Sequence, residues 1–249
     1  MNSFISKPLS RRSLLKGSAA VGAGAIMGFN QVFGFSRVLG QDMKDDDTQT
    51  IINLASTAEL FASTHYLAAI NSADALGFDE NIVKYLKAGF LAEADHYDLL
   101  VGLGAKPVVT EFYVPEKLFS DKALFAATTE VAETTFVAAY LAATRIFSAA
   151  AQPAFAVTTA QIAAVEAEHR LFARQISGMD AAANNQSYAK YLYHNVSDAV
   201  PTLQPFLDGK ADGFIGPVSA PTADDFAKIR AEAADLGYDT TVQPFAAMK

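Results

Sequence analysis

Ala58-Glu59-Leu60 through Tyr66-Leu67-Ala68-Ala69, and, 74 positions later, Ala132-Glu133-Thr134 through Tyr140-Leu141-Ala142-Ala143, are two versions of one segment. A second matched pair follows: Glu93-Ala94-Asp95-His96 and Glu166-Ala167-Glu168-His169, 73 positions apart. Each half of the chain thus carries a lone Glu and then, 34 or 33 residues on, a Glu-x-x-His. Residues i and i+3 share a helical face, so Glu93 with His96, and Glu166 with His169, point the same way if these runs are helical. Both motifs sit in Ala/Leu-rich sequence, where an unpaired carboxylate is costly to bury. Four Glu and two His facing one axis hold about four negative charges, a cluster that needs protons or cations to persist. One Glu–His pair on a helix surface is commonplace. Two pairs, each preceded by a Glu at matching distance, point instead to a shared site for two divalent metals.

Outward from the repeat, apolar residues recur at helical spacing over about 49–73, 79–102, 121–150 and 157–178. Residues 41–48 form a polar linker in which Thr48 or Asp47 caps the first helix. Gly77-Phe78-Asp79 separates the first two helices, and Pro153 interrupts between the last two. Pro107 and Pro115, with several β-branched residues between them, keep 104–120 out of helix. A helix of about 24 residues is roughly 36 Å long. An extended connection of about 17 residues reaches roughly 55 Å, so only the middle connection can run the bundle's full length. Helices 1 and 2 are therefore expected antiparallel, helices 3 and 4 likewise, and helices 2 and 3 parallel. That is an all-α, one-crossover four-helix bundle over 49–178. Residues 179–249 are richer in Pro and Gly, with short helices expected at 187–195 and 222–236. Their aromatic residues, Phe206, Phe214 and Phe245 among them, indicate an extension packed on the bundle.

The first 40 residues hold Lys7, Arg11, Arg12, Lys16 and Arg37 and no acidic residue. Ser10-Arg11-Arg12-Ser13-Leu14-Leu15-Lys16 leads into an apolar run, Gly17 to Phe29, too short for the roughly 20 residues that span a bilayer. This resembles a twin-arginine export signal, with Leu14 where Phe is commonest. Cleavage is expected after Ala23-Gly24-Ala25 or after Val38-Leu39-Gly40. The implied destination is periplasmic or extracellular, without a stable membrane anchor. The resemblance also implies folding, often with a cofactor loaded, before transit.

The whole chain carries a net charge of −8, and the part beyond the signal is more acidic still. Without a basic stripe, nucleic acid is not an expected partner. No Cys is present, which excludes disulfides, thiolate metal sites and Cys nucleophiles. Any metal must be held by oxygen and imidazole. Charged residues are only 18% of the chain, so much helical surface is expected to be buried inside the fold or against a partner, a homo-oligomer included.

With these residues in view, the chain resembles the ferritin-like superfamily of dinuclear carboxylate proteins, over about 49–178. It is similar in particular to exported ferritin-like domain proteins of the desiccation- and stress-associated group. The resemblance implies metal ligands at Glu59, Glu93, His96, Glu133, Glu166 and His169, with Glu93 and Glu166 bridging two Fe or Mn ions. It implies redox chemistry on a small oxidant, dioxygen or hydrogen peroxide; the alternative is a non-catalytic metal-binding or structural envelope protein. The tail after 179 has no counterpart in simple ferritins, which speaks against a storage cage. No catalytic residue beyond the ligands is assigned, and no flavin, nicotinamide or haem motif is visible. Glu130 competes with Glu133 on the same face, but only Glu133 keeps the repeat. Asp95 and Glu168 are expected to face solvent or a neighbouring helix. Tyr66 and Tyr140 lie on nearly the ligand face, as core residues or as hydrogen-bond partners of the ligands. His65 is expected to be structural, and His194 is assigned no role.

Overall fold

The computed structural model describes residues 44–178 and 186–247. The twin-arginine segment, the first residues of the linker and the start of the tail lie outside them. Four long helices dominate: α1 (Thr48–Asn71), α2 (Glu80–Gly102), α3 (Lys122–Ala149) and α4 (Pro153–Ile176). Their starts are set by side chains that satisfy the free amides of the first turn. Asp47 accepts from Thr50 N, Asp79 from Ile82 N, and Asp121 from Ala123 N and Leu124 N. Helix α4 starts four residues earlier than its periodicity suggests. Pro153 does not interrupt but occupies the first turn, where a missing N–H costs nothing. Between α1 and α2 a one-turn helix ends at Gly77, whose φ of +64° is left-handed.

Side-chain pairs give the helix directions. Tyr66 with Glu133 and Tyr140 with Glu59 make α1 and α3 antiparallel. Thr144 with Thr159 and Glu130 with Arg174 make α3 and α4 antiparallel. Asn53 on α1 accepts from Lys106 N, just past the end of α2, so α1 and α2 are antiparallel too. Helices α2 and α3 therefore run parallel, joined by the long crossover. The fold is an all-α bundle of the one-crossover type.

The crossover holds a strand, β1 (Glu111–Pro115), which the sequence reading treated as helix-free connection only. It pairs antiparallel with β2 (Phe214–Ser219), aligning Phe112 with Val218 and Val114 with Ile215. The expected helix at 187–195 is absent. A 3-10 turn, Val196–Ala199, leads instead into α5 (Val200–Asp208). The second expected helix is shorter than 222–236: α6 covers Ala223–Arg230, capped by Thr222 and Asp225 in a reciprocal box. The tail enters the main core. Phe206 packs on Phe61 at 5.0 Å and on Phe214 at 5.2 Å, while Phe112 meets Phe61 from the crossover at 5.4 Å. Burying aromatic area of this kind dominates core energetics. Phe245 is different: it is 43% exposed, and its segment is tied by backbone bonds instead.

Candidate metal centre

Midway along the bundle each helix turns polar side chains inward. Helix α1 supplies Glu59, α2 supplies Glu93 and His96, α3 supplies Glu133, and α4 supplies Glu166 and His169. All four carboxylates are buried, as is His169. The structure brings the six residues together as two overlapping groups. Glu59, Glu93, His96 and Glu166 form one; Glu93, Glu133, Glu166 and His169 form the other. Within each, one potential ligand atom per residue lies within 4.8 Å of the rest. Glu93 and Glu166 belong to both groups. His169 Nδ1 stands 2.8 Å from Glu93 and 3.2 Å from Glu166. His96 Nδ1 stands 3.3 Å from Glu59, 3.4 Å from Glu93 and 3.5 Å from Glu166.

The tyrosines cross between the hairpins. Tyr66 of α1 donates to Glu133 of α3 at 2.5 Å, and Tyr140 of α3 donates to Glu59 of α1. Burial and the nearby carboxylates push both phenols well above their usual range, so both remain donors. Without a cation, protons compensate the cluster. Burial, with the charges of neighbouring carboxylates, raises Glu59 and Glu133 well above the ordinary carboxylate range. Burial works to raise Glu93 too, but the His169 imidazolium outweighs it and holds Glu93 low. Burial opposes charge on His96 and His169, yet Glu59 and Glu93 outweigh it and raise both imidazoles well above their usual value. Four buried carboxylate oxygens still lack a well-directed hydrogen bond, the 2.8 Å approach of His169 Nδ1 to Glu93 included: both of Glu93, Glu133 Oε2 and Glu166 Oε1. Orphaned buried acceptors beside two imidazole nitrogens are a donor set that suits divalent cations preferring O and N ligands.

A model of the ferritin-like domain family matches residues 47–179, more than half of the chain. The chain belongs to the ferritin-like family. The matched span of this ferritin-like chain covers all four long helices and every residue of the cluster. A second family model, of the twin-arginine translocation signal, matches residues 8–28. The protein is therefore exported, and no helix among the described residues is long and apolar enough to cross a membrane. Neither the curated proteins nor the solved structures returned a match.

The other candidates fall outside the cluster. Glu130 receives Arg174 Nε at 2.7 Å, leaving Glu133 as the inward carboxylate of α3. Asp95 faces away and engages the tail, accepting from Arg230 at 2.6 Å and from Tyr238 at 2.9 Å. His65 is buried, stacked on Phe125 and bonded to Thr129, and burial drives its pKa down to about 3, so it is neutral. His194 joins Asp45 and Arg145 and belongs to neither group of the cluster.

The sequence reading missed how the ferritin-like centre meets solvent. Its mouth lies between α2 and α4, where a cavity of about 400 Å³ is lined by His96, His169, Gly89 and Glu168. The side chain of His96 keeps 12% exposure there. Residues 238–244 of the tail form the outer wall, pinned by Phe245 N to Gln161 and Ala246 N to Thr158. The repeat held one clue: Gly89, four before the motif Glu, corresponds to Ile162, so the mouth is wider beside His169.

Proposed function

We propose that this protein is a dinuclear Fe or Mn carboxylate protein that carries out redox chemistry on hydrogen peroxide or dioxygen outside the cytoplasm. Stress protection is the role that its likeness to exported ferritin-like proteins implies. The observation that carries the reading is the sharing of Glu93 and Glu166 between two four-residue groups. Glu59 with His96 completes one metal position, and Glu133 with His169 the other. When bound there, two such ions supply the redox equivalents and the Lewis acidity.

The chain's own part is positional. Tyr66 and Tyr140 fix the outer carboxylates through their hydroxyls, each reaching across from the other hairpin. Phe90, Leu91 and Ala94, near Glu93 on α2, are buried, so that part of the helix is closed to solvent. A small oxidant reaches the centre through the mouth between α2 and α4, past His96.

A second reading, metal holding or a structural envelope role without turnover, draws on residues 238–244 closing over that mouth. Elemental analysis of protein recovered after export, followed by peroxide and oxygen consumption, separates the two. About two metals per chain with turnover supports the oxidoreductase. The same stoichiometry without turnover supports the second reading, and metal-free protein that binds neither Fe nor Mn overturns both.

A further inference from the structure

On the face of the centre opposite its mouth, a cavity of about 250 Å³ lies between α1, α3 and the tail helix α5. Its wall is aliphatic and aromatic, with Leu54, Ala58, Phe61, Phe136, Leu203 and Phe206 among the lining residues. The repeat explains its position. At the other end of the α1–α3 seam, His65 stacks on Phe125 with ring centroids 4.7 Å apart, and its Nε2 lies 2.8 Å from Thr129 Oγ1. Carried across by the 74-residue offset, those three positions become Ala139, Ile51 and Ala55. All three line the cavity. Smaller residues at symmetry-related positions have hollowed one end of the seam while the other stays filled.

The cavity is partly open to solvent, its lining residues Val108 and Gln204 being exposed, and an apolar pocket of this size offers its wall to a ligand. Apolar cavities of about 150 Å³ stay dry and take up benzene or xenon. This one is larger and closed on one side by a helix that exists in the tail alone. Its polarity selects the occupant. Among the described residues no Lys, Arg or His lines it, and Lys210 at its edge is already paired with Asp208 at 3.4 Å, so an acidic head group would meet a carboxylate there and no unpaired cation. Among the described residues the one charged lining residue is Asp208, whose carboxylate is held low by hydrogen bonds, from Lys210 N first and Gln204 Nε2 next. Gln204 and Asp208 together offer acceptors at the α5 edge of the cavity.

We propose that this cavity binds a neutral aliphatic molecule, its chain between α1 and α3 and a hydroxyl at the Gln204–Asp208 edge. The ligand is of the primary-alcohol class, not a fatty acid. Tyr140 lines the cavity and donates to Glu59, so the occupant lies one side chain from the metal centre. None of the six cluster residues lines the cavity, so binding there does not require a bound metal.

Titration calorimetry of the full exported chain, metal-free and metal-loaded, with 1-octanol and with octanoate tests this. Saturable one-to-one binding of 1-octanol is expected in both forms, with octanoate at least tenfold weaker at neutral pH. Ala139→Leu fills the cavity from α3 and is expected to weaken 1-octanol at least tenfold with helical circular dichroism unchanged. Leu203→Phe fills it from α5 and is expected to do the same, which keeps the test sound if the first variant fails to fold. No saturable heat with 1-octanol overturns the site. Equal affinity for octanoate overturns the neutral-ligand assignment, and undiminished binding in a folded filled variant places the binding elsewhere and overturns the cavity.

Discussion

At one end of the α1–α3 seam, a histidine, a phenylalanine and a threonine interlock; at the other, two alanines and an isoleucine leave about 250 Å³ unfilled. Between the ends stand Glu59, Glu133, Tyr66 and Tyr140, identical in the two copies and cross-bonded. The two copies are alike where chemistry fixes the residue and different where only packing did. Carboxylates buried together and held by crossed tyrosine hydroxyls have few substitutes. A core position tolerates change so long as something fills the volume.

The sharpest way to break the middle is to remove one of the two shared carboxylates together with an imidazole. Glu93→Ala combined with His169→Ala is expected to lower metal content from about two ions per chain to none, by elemental analysis. Full stoichiometry in that variant would put the metals elsewhere. Next in size is the filled end. His65→Ala should turn it into a second hollow and cost about 2–4 kcal/mol in denaturant unfolding. An unchanged midpoint would show that the filled end is not a packing element.

The two ends share one electrostatic centre, so pH tests them together. Glu59, Glu133, His96 and His169 all have raised values in the metal-free fold. A group raised on folding contributes stability below its unfolded pKa and loses it as pH rises through its folded value. Glu93 is lowered, and its contribution is lost only as pH falls below the ordinary carboxylate range. The Tm of metal-free protein is therefore expected to fall as pH rises from about 5 to 8. Bound cations replace those protons, so metal-loaded protein should show a flatter profile. A metal-free Tm that climbs over that window would contradict the proton-compensated cluster. The smallest effect sharpens the symmetry itself. Tyr66→Phe and Tyr140→Phe should each cost about 1 kcal/mol, equal within a few tenths, since each removes one crossed bond. A larger loss at Tyr140 would mean that the hollow end leans on it.

The bundle and the cluster were legible because both are periodic and local. Glu93 and His96 announce a shared face by spacing alone, and Asp47 announces the start of the first helix. The strands were not legible. Each is short, each contains a proline, and Glu111 pairs with Ser219 across two intervening long helices. Helix α5 escaped notice because Pro201 and Pro205 read as breakers, although Pro201 sits harmlessly in the first turn. The cavity was hidden for a subtler reason. Ala139 fits a helix as well as any residue, and only its partner across the seam shows that something is missing.

The tail's last turns at the mouth carry a practical consequence for anyone purifying the protein. Ala246 N bonds Thr158, and Gln243 and Pro244 wall the mouth, so an oligohistidine fused after Lys249 would start a few residues beyond Pro244, which lines the same cavity as His96 and His169. Such imidazoles would compete for the same ions and inflate any stoichiometry. A tag ahead of residue 1 is discarded with the signal if the signal is cleaved. An affinity handle set in an exposed loop, or one excised by a protease before metal is counted, avoids both problems.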